Sequence, residues 1–118
     1  MSDHIFVFGS NLAGIHGAGA AWHAKKYHRA QEGIGRGLTG TSYAIPTKDN
    51  SLRSRKLEDI AIDVQAFLNF AWAHRDMTFD VTRVGCGLAG FRDEQIAPMF
   101  SGAPYNCILP HGWRDEYK

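Results

Sequence analysis

A glycine-rich stretch in the last third of this chain has the chemistry of a site for an anionic ligand. Glycines recur at positions 85, 87 and 90, between an apolar segment and the acidic pair Asp93 and Glu94, which is typical of a helix start. A loop with few side chains lets several backbone N–H groups turn toward one point, which suits phosphate oxygens. We therefore predict that residues 85–91 form a ligand-binding loop at the carboxyl end of a strand. The alternative is a tight turn that is glycine-rich for local reasons alone.

A second small-residue stretch lies near the beginning of the sequence. Residues 5–8 are strand-forming, residues 9–21 are rich in glycine and alanine, and residues 21–27 have a helical pattern. A strand, a glycine loop and a helix in this order direct a helix N-terminus at whatever the loop holds, which favours an anion. The Walker motif lacks its Lys-Ser/Thr ending, and Trp22 stands where the dinucleotide fingerprint requires glycine or alanine. The two glycine-rich loops are predicted to face one ligand without either familiar nucleotide motif.

Lys48 is a candidate reactive group beside a predicted strand end. Residues 41–46 favour a strand that Pro46 closes, so Lys48 comes just after its carboxyl end. Most lysines are solvated surface charges, and position alone does not assign a function to this one.

The remaining elements predict an α/β fold. The apolar residues between 57 and 71 follow helical spacing, and Ser51 or Ser54 is a candidate cap for that helix. Residues 30–40 contain four glycines and are expected to lack regular structure, as a mobile flap would. Strands alternating with helices predict a mostly parallel sheet between helical layers, a three-layer α/β/α sandwich.

Composition limits the class of protein. With 118 residues, 44% of them hydrophobic, residues 1–118 are expected to form one domain. The formal charge of +1 gives no strong case for nucleic acid or membrane as a general partner. Cys86 and Cys107 are interpreted as reduced thiols rather than a disulfide, and residues 1–4 lack signal-peptide character, so we expect a soluble cytoplasmic protein.

Three segments, in this order, resemble one family. They are Asn11 with His16 to Ala21 and Lys25-Lys26; Tyr43 to Lys48 followed by Leu57 to Ile60; and Arg83 to Phe91. The chain resembles a macrodomain, the ADP-ribose-binding α/β/α fold, and within it the branch of terminal ADP-ribose protein glycohydrolase and the DNA-ADP-ribosyl glycohydrolase antitoxins. The resemblance covers roughly residues 5–109.

The resemblance implies a ligand and a set of binding residues. Ser10 and Asn11 would lie at the distal ribose, and the two loops would hold the diphosphate from opposite sides. The first loop would contribute Gly17, Ala18, Gly19 and Ala20, and the second Gly85, Cys86, Gly87, Leu88, Ala89, Gly90 and Phe91. The implied partner is ADP-ribose or ADP-ribosylated DNA or protein, with no cofactor and no membrane.

The resemblance also implies a reaction. Lys48 matches the lysine that this branch uses at the distal ribose C1″, where an amine attacks the anomeric carbon or assists ring opening. An amine attacks only when unprotonated, which partial burial or a basic neighbour such as Arg53 favours. The expected function is hydrolysis of the ADP-ribosyl linkage on a nucleobase or a protein.

The sequence departs from the family pattern at two places. Ala89 stands where the protein glycohydrolase has an aspartate, whereas the DNA-directed antitoxins have a small residue there, which favours a nucleobase substrate. Asp93 is a candidate substitute, with helix capping as the alternative. The family's adenine-reading aspartate, on a strand before residue 5, has no counterpart here, so Trp113 is a candidate surface for stacking adenine, with plain packing as the alternative.

Two further hypotheses remain open at the level of sequence. The first is a non-catalytic reader or sequestering protein for ADP-ribose or a related signalling nucleotide, which Ala89 and the two intact loops favour. The second is a cysteine-dependent hydrolase that pairs Cys86 with His16 or His111. The spacings of the six histidines match no usual zinc pattern, so we expect no metal.

Overall fold

The computed structural model describes residues 4–115, so the expectation about signal character at residues 1–3 lies outside the described residues. The elements are five strands, three α-helices and one 3₁₀ helix. In chain order they are β1 (His4–Asn11), α1 (Gly19–Tyr27), β2 (Gly37–Thr39), β3 (Ser42–Lys48), α2 (Leu57–Ala73), β4 (Thr78–Val81), α3 (Asp93–Ile96), the 3₁₀ helix (Ala97–Phe100) and β5 (Cys107–Ile108).

The strands form one sheet with the order β2-β3-β1-β4-β5. β1 pairs in parallel with β3 and with β4, and β4 pairs in parallel with β5. Only β2 runs antiparallel, along β3. The predicted α/β class with a mostly parallel sheet is therefore confirmed, and β1 is its central strand.

The continuous apolar run at the start of β1 arises because both faces of this strand are covered. Side chains alternate along a strand, so neighbouring residues point to opposite faces. Ile5 and Val7 pack in the core that contains α2, whereas Phe8 packs with Ala21 and Ala24 of α1 on the other face. A central parallel strand with both faces buried shows this pattern rather than strict polar alternation.

The larger core is built on α2, which has 17 residues. Phe67 is fully buried, and its ring packs edge-on to Tyr43 at 5.0 Å and to Phe79 at 5.4 Å between ring centroids. Such aromatic pairs contribute about 1 kcal/mol each beyond the burial of apolar area. Within residues 4–115 no helix is both long enough and apolar enough to cross a bilayer.

The segment expected to be an unstructured flap is ordered by tertiary contacts, and that prediction is wrong. β2 pairs with β3, and the residues before it lie against the loop that follows β1. Gly33 N–H donates to the Gly14 carbonyl at 2.8 Å, and a Cβ on Gly35 would lie only 2.0 Å from the Asn11 carbonyl oxygen. The glycines here allow close main-chain packing rather than flexibility.

The start of α2 also differs from the prediction. Lys56 occupies the N-cap position and makes no side-chain capping bond. Ser54 instead donates its hydroxyl to the Ala89 carbonyl at 2.6 Å, which joins the β3–α2 connection to the second glycine loop. The Ser54 hydroxyl therefore makes a tertiary hydrogen bond instead of capping the helix.

A buried carboxylate on α2 holds two other segments. Asp63 accepts hydrogen bonds from Arg55 at 2.7 Å and from Arg36 at 2.6 Å, and only 7% of the residue is exposed. Burial would raise the pKa of Asp63, but the hydrogen bonds from Arg36 and Arg55 outweigh it and leave the pKa below its usual value. The carboxylate therefore ties the entry of α2 and the segment before β2 to the body of the helix.

Replacing Asp63 with alanine should lower the free energy of unfolding by about 3 kcal/mol, because a nearly buried Arg55 loses its counter-ion. Urea denaturation at neutral pH measures this change. The lowered native pKa means that the stabilisation is present above the unfolded pKa of about 3.9 and is lost as the pH falls through the native value. The difference between the unmodified protein and Asp63→Ala should therefore shrink below about pH 4. Asp76→Ala, at an exposed aspartate, is the control, and an equal effect of the two variants would contradict the prediction.

Candidate functional site

The order of the strands places a crevice between β1 and β4. The chain leaves β1 and returns in β3 on one side, whereas it leaves β4 and returns in β5 on the other. Neighbouring parallel strands whose connections diverge in this way leave an opening beyond their carboxyl ends, and ligands of α/β folds bind there. The carboxyl ends of β1 and β4 are therefore the expected position of a ligand site.

A cavity of about 420 Å³ occupies this position. Both glycine-rich loops line it, and they approach closely: a Cβ on Gly9 would lie 3.2 Å from the Gly85 nitrogen, and a Cβ on Gly19 would lie 3.2 Å from Leu88 Cδ1. The two loops thus lie on the same side of the molecule. The lining residues are Gly9, Gly19, Ala20, Thr82, Arg83, Gly85, Cys86, Gly87, Leu88 and Ala89.

The second loop is held by its own hydrogen bonds. Phe91 N–H donates to the Gly85 carbonyl at 2.9 Å, and Gly90 N–H donates to the Gly87 carbonyl at 3.0 Å. Gly85 has a φ angle of 77°, a backbone conformation that residues other than glycine rarely adopt. Gly90 and Phe91 therefore close the loop, whereas Gly85 allows it to turn.

Unused backbone donors lie on both sides of the cavity. None of the hydrogen bonds within residues 4–115 takes its donor from the N–H of Gly87, Leu88 or Ala89. On the other side α1 begins at Gly19, and its N-cap residue Ala18 has no side-chain cap. The first N–H groups of a helix have no intrahelical partner, and the helix dipole adds positive potential there. The crevice therefore has the donors that an anion requires.

A smaller cavity of about 150 Å³ adjoins the first. Leu88 lines both, so its side chain stands between them. Lys48 and Asn11 lie opposite each other across β3 and β1, where the pairing register shifts. The lining residues are Asn11, Ile15, Gly17, Ala18, Ala21, Lys48, Leu52 and Leu88.

Lys48 is the last residue of β3, which continues through Pro46 rather than ending there. Its carbonyl accepts the Leu12 N–H at 2.9 Å, and Ser54 bridges to it from the other side. The residue is half-buried, and no acidic side chain among residues 4–115 forms an ion pair with its ammonium group. The structure therefore fixes the backbone of Lys48 at the edge of the small cavity, which this residue lines.

Asn11 is buried, and its side chain already serves the loop. Its Nδ2 donates to the Ile15 carbonyl at 2.8 Å, and its Oδ1 accepts the Ile15 N–H at 2.9 Å. An amide has two N–H groups and an acceptor oxygen with two lone pairs, so one donor and one lone pair are left over. The hydroxyl of the neighbouring Ser10 is buried and donates to the Gly35 carbonyl, away from both cavities.

Asp93 lies outside both cavities. Its carboxylate accepts two hydrogen bonds from Arg83, each of 3.0 Å, and one of 3.0 Å from the Trp113 indole N–H. The hydrogen bonds from Arg83 and then from Trp113 hold the pKa of Asp93 below its usual value. Asp93 therefore orients an arginine instead of standing in for the carboxylate missing at Ala89.

Trp113 is a core residue. Only 3% of it is exposed, and its ring packs on Phe100 with centroids 5.4 Å apart. A ring buried in this way has no open face on which adenine would stack. The packing alternative is the one that the structure supports, because apolar burial and the bond to Asp93 use both the ring and its N–H.

Cys86 lines the large cavity but lacks the features of a nucleophile. Burial, followed by the nearby Asp93 carboxylate, raises the pKa of the Cys86 thiol to about 11. His16 is 1% exposed, and its Nε2 lies 3.0 Å from the carbonyls of both Gln31 and Ile34. A protonated thiol and a histidine occupied elsewhere do not form a catalytic pair.

Alkylation tests whether the Cys86 thiol has a raised pKa. At neutral pH a thiol with a pKa of about 11 holds roughly a hundred-fold less thiolate than an ordinary cysteine, so iodoacetamide should label Cys86 slowly. Labelling followed by mass spectrometry across pH 7 to pH 10 should show a rate that is still rising at the alkaline end. Denatured protein is the control, and rapid labelling of the native protein at neutral pH would contradict the prediction.

Two features of the site were not recognised from sequence. Thr82 and Arg83 line the large cavity, because β4 ends at Val81 and leaves both residues at the cavity. Their position directly before the second glycine loop was the available signal. Among the described residues, no group of three or more His, Cys, Asp or Glu side chains is placed to hold a metal ion.

Comparison with known proteins adds no family assignment. No protein-family model, no curated protein and no solved structure matches this chain.

Proposed function

We propose that this chain binds ADP-ribose or an ADP-ribosyl group in the crevice between β1 and β4. We propose further that it hydrolyses the glycosidic linkage at the distal ribose through Lys48. The observation that carries the proposal is the contact between the two glycine-rich loops at the carboxyl ends of β1 and β4, with Lys48 in the adjoining cavity.

The dimensions of the site suit a ligand of two connected parts. Small-molecule sites commonly enclose about 300 to 1,000 Å³, and the cavities of about 420 and 150 Å³ together fall in that range. A diphosphate in the larger cavity would meet the N–H groups of residues 87–89 and the N-terminus of α1. The distal ribose would then extend past Leu88 toward Asn11 and Lys48.

The arrangement of helices supports a three-layer, macrodomain-like interpretation of the fold. α1 packs on one face of the sheet through Ala21 and Ala24, and α2 packs on the other through Phe67 and its neighbours. We propose this three-layer fold from the resemblance in three segments and from the packing of α1 and α2 on opposite faces.

The proposed chemistry uses the amine of Lys48 as a nucleophile. As its nitrogen bonds to C1″, the bond from C1″ to the nucleobase or protein breaks, and the leaving group takes a proton. Water then adds at C1″, the C–N bond to Lys48 breaks, and free ADP-ribose is released. Lys48 is half-buried and lines the smaller cavity, and none of the ion pairs among the described residues involves it.

A second candidate is a reader that binds the same ligand without turnover. No carboxylate is found among the described residues that line either cavity, and Asp93 is occupied by Arg83. A glycosidase normally has a carboxylate to activate water or protonate the leaving group. This absence favours binding alone, and catalysis would depend on Lys48.

Replacement of Lys48 by alanine separates the two candidates. Incubation of the unmodified protein with ADP-ribosylated DNA and, separately, with ADP-ribosylated protein should release ADP-ribose, and Lys48→Ala should reduce the rate at least about a hundred-fold, since the nucleophile is lost. Chromatography of released ADP-ribose measures both rates. Lys56→Ala is the matched control, because Lys56 is exposed and lines neither cavity.

The outcomes of that experiment are distinct. Equal turnover by Lys48→Ala and the unmodified protein would overturn the catalytic role. Binding of ADP-ribose without any release from either substrate would select the reader.

Gly87 provides a test of the phosphate position. A Cβ at Gly87 meets no atom within 4 Å, so Gly87→Asp should fold normally and place a negative charge in the cavity. Like charges in a partly desolvated crevice repel, and we expect ADP-ribose affinity to fall by roughly ten-fold or more. Calorimetry measures the affinity, and a thermal melt verifies the fold.

Ala66→Asp is the control for Gly87→Asp, since it adds the same charge on an exposed position of α2. Undiminished affinity of Gly87→Asp, or an equal loss in both variants, would contradict a diphosphate in the larger cavity.

A further inference from the structure

One residue with a charged side chain lines the larger cavity. Arg83 follows β4 by two residues and lines the cavity beside Thr82 and the second glycine loop. All other described residues that line this cavity carry no formal charge in their side chains at neutral pH, Cys86 included. Arg83 is therefore the residue that adds a formal positive charge to the backbone donors and the α1 N-terminus at this cavity.

Arg83 is held in place from the core. The Asp93 carboxylate accepts from its Nε and from its Nη2, and the same carboxylate accepts from the buried Trp113 indole. Because Trp113 is packed against Phe100, the chain of bonds from indole to carboxylate to guanidinium begins at a rigid point. Two parallel bonds to a carboxylate also fix the plane of a guanidinium.

The pair presents its positive partner to the cavity. Arg83 lines the crevice, whereas Asp93 does not. An oriented guanidinium matches phosphate oxygens better than a flexible ammonium does.

We propose that Arg83 binds the diphosphate of the ligand and that Asp93 is its positioning residue. This inference rests on the proposed function and deepens it by naming the charged group that selects a nucleoside diphosphate. It also gives Asp93 a role that acts through Arg83 rather than on the sugar.

ADP and adenosine are the probes that isolate this contact. Calorimetry with the full chain should show that Arg83→Gln binds ADP roughly ten- to a hundred-fold more weakly than the unmodified protein, because a charge-assisted hydrogen bond is lost. Arg83→Lys should recover only part of that loss, since it restores charge but not the planar fork. Adenosine affinity should be the same in all variants.

Arg92→Gln is the matched control. Arg92 is also exposed and also pairs with a carboxylate, Glu94, at 2.7 Å, but it lines neither cavity. We expect its ADP affinity to equal that of the unmodified protein. Thermal melts of each variant separate lost binding from lost folding. If Arg83→Gln does not fold, the partial loss of ADP affinity in Arg83→Lys is the test of the contact.

The positioning role of Asp93 is tested by combining variants. Asp93→Asn should weaken ADP binding by the otherwise unmodified protein, because Arg83 loses the bonds that orient it. It should have no effect on ADP affinity in the Arg83→Gln background, because Asp93 acts only through Arg83. An equal effect in both backgrounds would overturn the positioning role.

Unchanged ADP affinity of both Arg83 variants would overturn the contact with the diphosphate while leaving the proposed function in place. Binding of neither ADP nor ADP-ribose by the unmodified protein would overturn the proposed function and this inference together.

Discussion

The close approach of two main chains at Gly9 and Gly85 is the constraint on which the site depends. β1 and β4 pair side by side in the middle of the sheet, so the chain segments at their carboxyl ends lie next to each other. A Cβ on Gly9 would lie 3.2 Å from the Gly85 nitrogen, closer than ordinary packing allows. Because the loops have little side-chain bulk at this point, their backbones form the walls of the crevice.

A site built from backbone leaves few places for side-chain chemistry. Hydrogen-bond donors come from peptide groups and from the start of α1, whereas Lys48 and Arg83 supply the charge at the cavity walls. These two cations line different cavities, with Leu88 between them. This separation suits a ligand in which an anionic group and a neutral group are joined but distinct.

The fold was predictable where local pattern and layer geometry agree. The apolar run of β1, the helical spacing of α2 and the alternation of strands with helices all depend on periodicity, which a single sequence displays. The meeting of the two glycine loops followed from one rule, that parallel strands end at the same edge of a sheet. Their contact at Gly19 and Leu88 agrees with that rule.

The remaining features depend on partners distant in sequence. β2 forms because it pairs with the edge of β3. Two of its three residues are not strongly strand-forming, so its local sequence does not predict this pairing. Trp113 was as compatible with an exposed stacking surface as with a core position until Phe100 and Asp93 were found beside it. Asp93 was a candidate acid or cap in the sequence. Its two hydrogen bonds to Arg83 depend on the tertiary structure, so the sequence did not reveal them.

The glycine packing between residues 11–17 and 31–35 makes the two walls of the crevice differ in how tightly they are packed. Gly14 and Gly35 leave no space even for a methyl group, so the wall after β1 is braced from behind by a segment remote in the chain. Around Gly87 and Gly90, in contrast, a methyl group would meet nothing within 4 Å. Open space for additional side-chain atoms is therefore found on the wall formed by residues 86–90, whereas the opposite wall is closely packed from behind.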